Sequence, residues 1–152
     1  MGDELKPAEV LEWVPQQEPF RFIDSIEELD ADHIVASYTF PPESDFYRGH
    51  FPGDPITPGV ILIETAAQAS VVAYGIYLLA RETSRDELGK VLTIFTDCNV
   101  EFSGVVRPGD RVRTTGRKKF FRRLKLRASF EMTLDDGTVV CSGELSGMGV
   151  QR

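Results

Sequence analysis

GVILIETAAQASVVAYGIYLLA, residues Gly59 to Ala80, is the stretch on which the fold turns. It contains no proline, and its Ala, Leu and Ile residues support a helix from end to end. It carries one carboxylate, Glu64, and no Lys or Arg. A helix that is apolar on every side has to be buried, in lipid or in protein. Glu64 and Gln68 lie well inside it, where a charge and an amide are costly in lipid. The flanks also lack a clear basic anchor pattern. The segment therefore predicts one long helix buried in protein, with no membrane span.

The flanking sequence supplies the cover. Val91 to Phe102 is rich in β-formers, Arg107 to Asp110 (RPGD) is a turn, and a strand from Arg111 to Phe121 follows. From Arg123, RLKLRASFEMTL alternates cleanly. Leu124, Leu126, Ala128, Phe130, Met132 and Leu134 face one way; Lys125, Arg127, Ser129, Glu131 and Thr133 face the other. Asp135 to Thr138 (DDGT) is a hairpin turn into a last strand, Val139 to Leu145. Upstream, Pro7 to Val14 reads as a short helix opened by its proline. Phe20 to Leu29 reads as a first strand. In HIVASYTF, Ile34, Ala36, Tyr38 and Phe40 share one face of a second strand. A proline-rich loop, Pro41 to Pro58, leads into the long helix. Strands, a buried helix, then successive antiparallel strands define the α+β class, with a sheet curling around the helix. With no repeat, low-complexity tract or linker, residues 1–152 are expected to form one domain.

Composition narrows the function classes. The chain has 152 residues, 41% hydrophobic and 27% charged, as in an ordinary globular protein. Its net charge of −7 disfavours non-specific nucleic-acid binding. The charge is polarised: Arg111 to Arg127 holds nine basic residues and no acid, leaving the remaining 8 bases against 24 acids. That strip suits an acidic protein partner by electrostatic steering, or serves as a solubilising edge that blocks strand-to-strand aggregation. Cys98 and Cys141 lie far apart without CxxC spacing, and no apolar leader is evident, so a reducing, cytoplasmic compartment is expected. His33 and His50 are the only histidines, and no HExxH pattern exists. No metal or other cofactor is expected.

The loop and the helix start carry the chemistry. Pro52, Pro55 and Pro58 stiffen the loop, and Gly49, Gly53 and Gly59 permit close approach. His50 is thereby held in place, or simply packs on Phe51. Glu64 sits about 9 Å along the helix among apolar neighbours, where a carboxyl meets water or an Arg, or else becomes neutral. A carboxyl kept neutral can act as a general acid, and Gln68 one turn on could orient it. Free N–H groups at Gly59 and Val60 carry partial positive charge and can stabilise an oxyanion or a thioester carbonyl. A base, an acid and an oxyanion donor form a kit for removing a proton α to a carbonyl and expelling a β-hydroxyl.

GHFPGDPITPGVILIETAAQ (Gly49 to Gln68) resembles the active-site signature of the β-hydroxyacyl-[acyl-carrier-protein] dehydratases. VPQQEPFRFID (Val14 to Asp24) and VEFSGVVRPGDRV (Val100 to Val112) are similar to the family's earlier and later segments. The resemblance implies a hot-dog fold, a curved antiparallel sheet wrapped around a long central helix. It implies a homodimer or an oligomer of dimers, with active sites at the interface. It makes His50 the base and Glu64 of the other protomer the acid. Gly59 and Val60 lie at the oxyanion position, and Gln68 stands behind Glu64. The substrate would be a (3R)-hydroxyacyl chain on phosphopantetheine of an acidic carrier protein, converted to the trans-2-enoyl thioester. Gln16 departs from the family, many members having His there. Glu64 matches the branch with Glu, whereas GDP (Gly53 to Pro55) looks as much like the dehydratase/isomerase branch with Asp, so double-bond isomerisation stays open. The alternatives are a hot-dog acyl-thioester hydrolase and a non-catalytic acyl-binding protein.

Overall fold

The computed structural model describes residues 2–152. Helix α1 (Pro7–Trp13) precedes strands β1 (Ser25–Leu29) and β2 (His33–Thr39). The central helix α2 (Gly59–Ala80) follows, then a short helix α3 (Arg85–Leu88). Strands β3 (Val91–Phe102), β4 (Arg111–Arg122), β5 (Lys125–Leu134) and β6 (Val139–Gln151) complete the chain. All six strands form one antiparallel sheet in the order β1-β2-β4-β5-β6-β3. This is the expected α+β arrangement, a sheet packed on one long helix.

The helix has the length and apolarity of a membrane span, with a mean hydropathy of 1.5. Here the sheet and α1 cover it. Ala69, Val72, Ala73, Tyr74 and Tyr77 pack with Val10, Ile34 and Leu126; Leu62, Ala66 and Val71 pack with Phe40, Phe130 and Leu145. The face expected from alternation in β5 is the buried one: Leu126, Ala128, Phe130 and Met132 point inward. Ile34, Ala36 and Tyr38 of β2 and Phe40 just after it are buried as expected, but Val35 and Ser37 are buried too. Their outer face lies beneath the long side chains of neighbouring strands, Glu28 being paired with Val35 and Arg113 with Ser37.

Close approach of helix and sheet depends on missing side chains. A Cβ placed on Gly116 of β4 would stand 2.5 Å from Ser70 Oγ and 2.9 Å from Ser70 Cβ, and one on Gly147 of β6 would collide with Val71 Cγ1. Ser70 and Val71 belong to a π-helical stretch, Gln68–Ala73, in the middle of α2. Gly116→Val is expected to lose about 2–3 kcal/mol of stability by overpacking, read by urea denaturation. Parent-like stability would mean that this contact yields freely.

Two boundaries differ from the sequence expectation. The first strand starts at Ser25 rather than Phe20, because Gln68 captures the backbone of Phe20 and Phe22 and removes it from strand pairing. The last strand runs to Gln151 rather than Leu145, paired with β3 along its length from Cys141–Phe102 to Gln151–Val91. Of the glycines in this strand, Gly147 is the one that lies against the helix, at Val71.

The basic strip is also not what its sequence suggests. Acids from distant segments sit across from it. Arg111 pairs with Asp135 at 2.9 Å and Glu27 at 3.2 Å, and Arg113 with Glu28 at 3.3 Å. Lys119 and Arg127 share Glu144 at 2.7 and 2.8 Å, and Arg127 also reaches Asp97 at 3.0 Å. A β-bulge at Lys118/Phe120 shifts the register of the hairpin, so the bases do not form one continuous row. Among the described residues, Arg117, Lys118, Arg122, Arg123 and Lys125 have no acidic partner; Arg122 instead lies 5.3 Å from the Phe120 ring centre. Within the strip, the bases left without an acid are thus Arg117 and Lys118 in the middle of β4 and Arg122, Arg123 and Lys125 around the β4–β5 turn.

Candidate active site

The loop that carries His50 is closed at its base by two buried residues, Tyr47 and Thr57, whose hydroxyls lie 2.6 Å apart. The Thr57 N–H donates to the Val106 carbonyl at 2.8 Å, tying the loop to the segment before β4. Within the loop, the Ile56 N–H donates to the His50 carbonyl at 2.9 Å. The imidazole answers in the other direction: Nδ1 lies 3.1 Å from the Ile56 carbonyl oxygen. A carbonyl only accepts, so Nδ1 is the donor, and the tautomer this contact selects has its lone pair at Nε2. The ring stacks on Phe51 at 4.2 Å, so the packing role considered for His50 is also present. Phe51 itself is half exposed. The His50–Phe51 peptide bond is cis.

Glu64 is half-buried on the second turn of α2. Burial pushes its carboxyl pKa above the usual range, partly offset by a hydrogen bond from Gln68. Gln68 is fully buried and every arm of its carboxamide is occupied. Nε2 donates to Glu64 Oε2 and to the Phe20 carbonyl, both at 2.8 Å, and Oε1 accepts the Phe22 N–H at 2.7 Å. The amide orientation is therefore determined by its neighbours. Glu64 Oε2 can only accept from it, so a proton on this carboxyl resides on Oε1. The i, i+4 link between Glu64 and Gln68 was legible in the sequence; the capture of residues 20–22 was not, since no pattern marks a backbone group as a side-chain partner.

At the helix start, the Gly59 and Val60 N–H groups have no hydrogen-bond partner among the described residues, while those of Ile61 and Leu62 bond to the Pro58 carbonyl. Val60 is 72% exposed. A Cβ on Gly59 would lie 3.1 Å from Phe102 Cζ, so glycine lets the helix start sit against that ring. The expected residues are thus present in two groups. Glu64 and Gln68 are joined; His50 makes no hydrogen bond or ion pair with Glu64 within the protomer. The other histidine, His33, lies elsewhere, between Glu28 at 2.9 Å and Asp30 at 3.0 Å, and these carboxylates raise its pKa, Glu28 most. No group of three or more His, Cys, Asp or Glu among the described residues could hold a metal ion.

A sheet wrapped on one long central helix, with an imidazole on the loop before that helix and a half-buried carboxyl within it, has the architecture of a hot-dog protein. The FabA-like domain matches residues 14–144, and the chain belongs to that family. It is 33% identical over 145 residues to the 3-hydroxyacyl-[acyl-carrier-protein] dehydratase FabZ of Lactobacillus helveticus, covering 93% of this chain and 91% of that protein. The FabZ of Clostridium perfringens is 33% identical over 141 residues, covering 90% and 93%. Among solved structures, the dehydratase heterocomplex ApeI:P of Xenorhabdus doucetiae superposes with a TM-score of 0.77 at 18% identity, over 97% of this chain and 93% of that one. The thioesterase HI1161 of Haemophilus influenzae gives 0.69 at 13% identity, over 99% and 94%. At these identities the structural likeness establishes the hot-dog fold alone.

Proposed function

We propose that this protein dehydrates a (3R)-hydroxyacyl thioester borne by acyl carrier protein to the trans-2-enoyl thioester. The observation that carries this reading is the complementary preparation of two groups. The Ile56 carbonyl leaves His50 with a free Nε2 lone pair; burial favours a proton on Glu64, and the Gln68 N–H on Oε2 leaves Oε1 to carry it. His50 Nε2 takes the α-proton, electrons move toward the thioester, and the Gly59 N–H steadies the carbonyl oxygen as charge builds there. Glu64 Oε1 gives its proton to the β-hydroxyl, which leaves as water. The imidazolium and the carboxylate then return to their starting forms by proton exchange through solvent. Val60 shares the helix-start position, and Gln68 orients the acid without touching substrate.

The lack of any hydrogen bond or ion pair between His50 and Glu64 within a protomer supports a dimer in which each site takes one from each protomer. Strand β3 is a free edge of the sheet, long and exposed, with Ile94 at 52% and Phe102 at 48% exposure. Such an edge is normally guarded or paired. Antiparallel pairing with the same edge of a second copy would continue the sheet and cover these side chains. The compartment we propose is cytoplasmic, in keeping with the free thiols of Cys98 and Cys141.

The test is product analysis with β-hydroxyacyl carrier thioesters of varied chain length. Enoyl thioester and water are expected. Free carrier thiol with no enoyl product would instead make this a thioester hydrolase, using Glu64 to direct water at the carbonyl. The carrier itself is expected to meet the unpaired bases at the β4–β5 end. Reversing Arg122 and Arg123 to Glu should raise KM for a carrier-borne substrate about tenfold at low salt through lost steering. A small thioester mimic should be turned over as before. Equal effects on both substrates would remove this end of the sheet from carrier docking.

A further inference from the structure

A recess is lined by the residues that Gln68 holds, Phe20 and Phe22. Residues 18–22, the end of β2, the loop after it and Ile61 of α2 enclose a cleft of about 530 Å³, within the size range of small-molecule sites. Its walls are aromatic: Phe20, Phe22, Tyr38 and Phe46. Phe22 meets Phe20 edge-on at 5.1 Å and Tyr38 edge-on at 5.6 Å. The wall is set in advance, because Gln68 bonds the Phe20 carbonyl and the Phe22 N–H. Little ordering would therefore be needed on binding.

Two independent features specify an occupant. The first is charge. Glu18, Glu43 and Asp45 stand at the mouth. Asp45 is matched by Arg48 at 2.7 Å, whereas Glu18 and Glu43 have no ionic partner among the described residues. The second is Tyr38. It is only 7% exposed and lines the cleft, and its hydroxyl has no hydrogen-bond partner among the described residues. The neighbouring Tyr47, by contrast, is satisfied by Thr57. Burial, reinforced by the charges of Glu18, Asp24 and Glu43, pushes the Tyr38 phenol up to about 12, so it stays neutral and can accept or donate. Anions, including carboxylates and phosphates, are repelled by this mouth. An uncharged apolar molecule would use the walls and leave the carboxylates unanswered.

We propose that this cleft is a binding site for a small organic cation, an ammonium group on an aromatic or branched apolar body. The body rests on the rings, where the ammonium gains cation–π attraction. One N–H reaches the Tyr38 oxygen, and the positive charge faces Glu18 and Glu43. None of these groups belongs to the proposed acid–base pair.

Three probes of similar shape test it: phenethylammonium, 2-phenylethanol and 3-phenylpropionate, titrated into isotopically labelled full-length protein and followed by amide NMR shifts. Shifts are expected at residues 20–22, at Tyr38 and at residues 43–46. The ammonium should bind roughly tenfold more tightly than the alcohol, and the carboxylate should not bind. The double variant Glu18→Gln/Glu43→Gln changes only exposed side chains and should bring the ammonium down to the alcohol's affinity. Tyr38→Phe should weaken the ammonium several-fold while leaving the alcohol closer to its original affinity. Equal binding of ammonium and alcohol by the parent overturns the proposal. So do retained preference in the double variant, shifts mapping elsewhere, or no saturable shift at all. The readout is binding, so the result is independent of whether the protein dehydrates acyl thioesters.

Discussion

Glu64→Gln and His50→Ala should each lower turnover of a β-hydroxyacyl carrier thioester by about 10³-fold or more, the upper part of the range for loss of one general acid or base. Glutamine keeps the shape of Glu64 and can still accept the Gln68 N–H through its carbonyl, but it has no acidic proton for the departing hydroxyl. The loss must occur without unfolding, and the carboxyl's raised pKa makes that checkable. A carboxyl whose folded pKa exceeds its unfolded value favours folding only while protonated. Its contribution declines as pH rises from the unfolded value near 4.5 through the folded one. Above that window the charged form is half-buried with only Gln68 to serve it, so Glu64→Gln should be at least as stable as the parent at pH 8. Activity that depends on the Glu64 proton should fall over the same rise in pH, and that limb should vanish from the residual activity of the variant. Near-parental turnover by either variant removes the assignment of acid and base.

Mixing the two inactive variants should restore activity to about a quarter of the parental level. Random re-pairing makes about half of the dimers mixed, and each mixed dimer regains one good site of two, with His50 from one protomer and Glu64 from the other. This rise, from about a thousandth to about a quarter, discriminates sharply, because no arrangement confined to one protomer allows it. Subunit exchange has to be verified separately, for example by mass-tagged protomers. Proven exchange with no recovery would place both groups in one protomer or in neither. Within a protomer the two side chains make no hydrogen bond or ion pair with each other, and β3 is an uncovered edge, so recovery is the expected result.

Much of this site could be read along the chain because its parts are local. His50, Gly59, Glu64 and Gln68 lie within twenty residues, and a helix turn by itself brings Glu64 and Gln68 together. The partners that define proton placement are not local. The Ile56 carbonyl sets the His50 tautomer through a loop closure, and Phe20 and Phe22 occupy the rest of the Gln68 amide from more than forty residues away. Backbone carbonyls and amides have no sequence signature, since every residue supplies one. The basic strip failed for a related reason. Nine bases without an acid between Arg111 and Arg127 look like an unopposed field in one dimension. Across a sheet, each strand's neighbours come from elsewhere in the chain, and Glu27, Glu28 and Glu144 arrive opposite Arg111, Arg113, Lys119 and Arg127.

Hydrophobic period and proline placement settled by themselves that a long apolar helix would be wrapped by antiparallel strands, because an all-apolar helix has no stable surface to show water and alternating strands have one such face to offer it. Only the tertiary structure decided where charge remains uncancelled, which oxygen of Glu64 is free to hold a proton, and that Gln68 would halt the first strand at Ser25. Each of those depends on contacts between residues distant in the chain, which are fixed by packing geometry and not by any local preference.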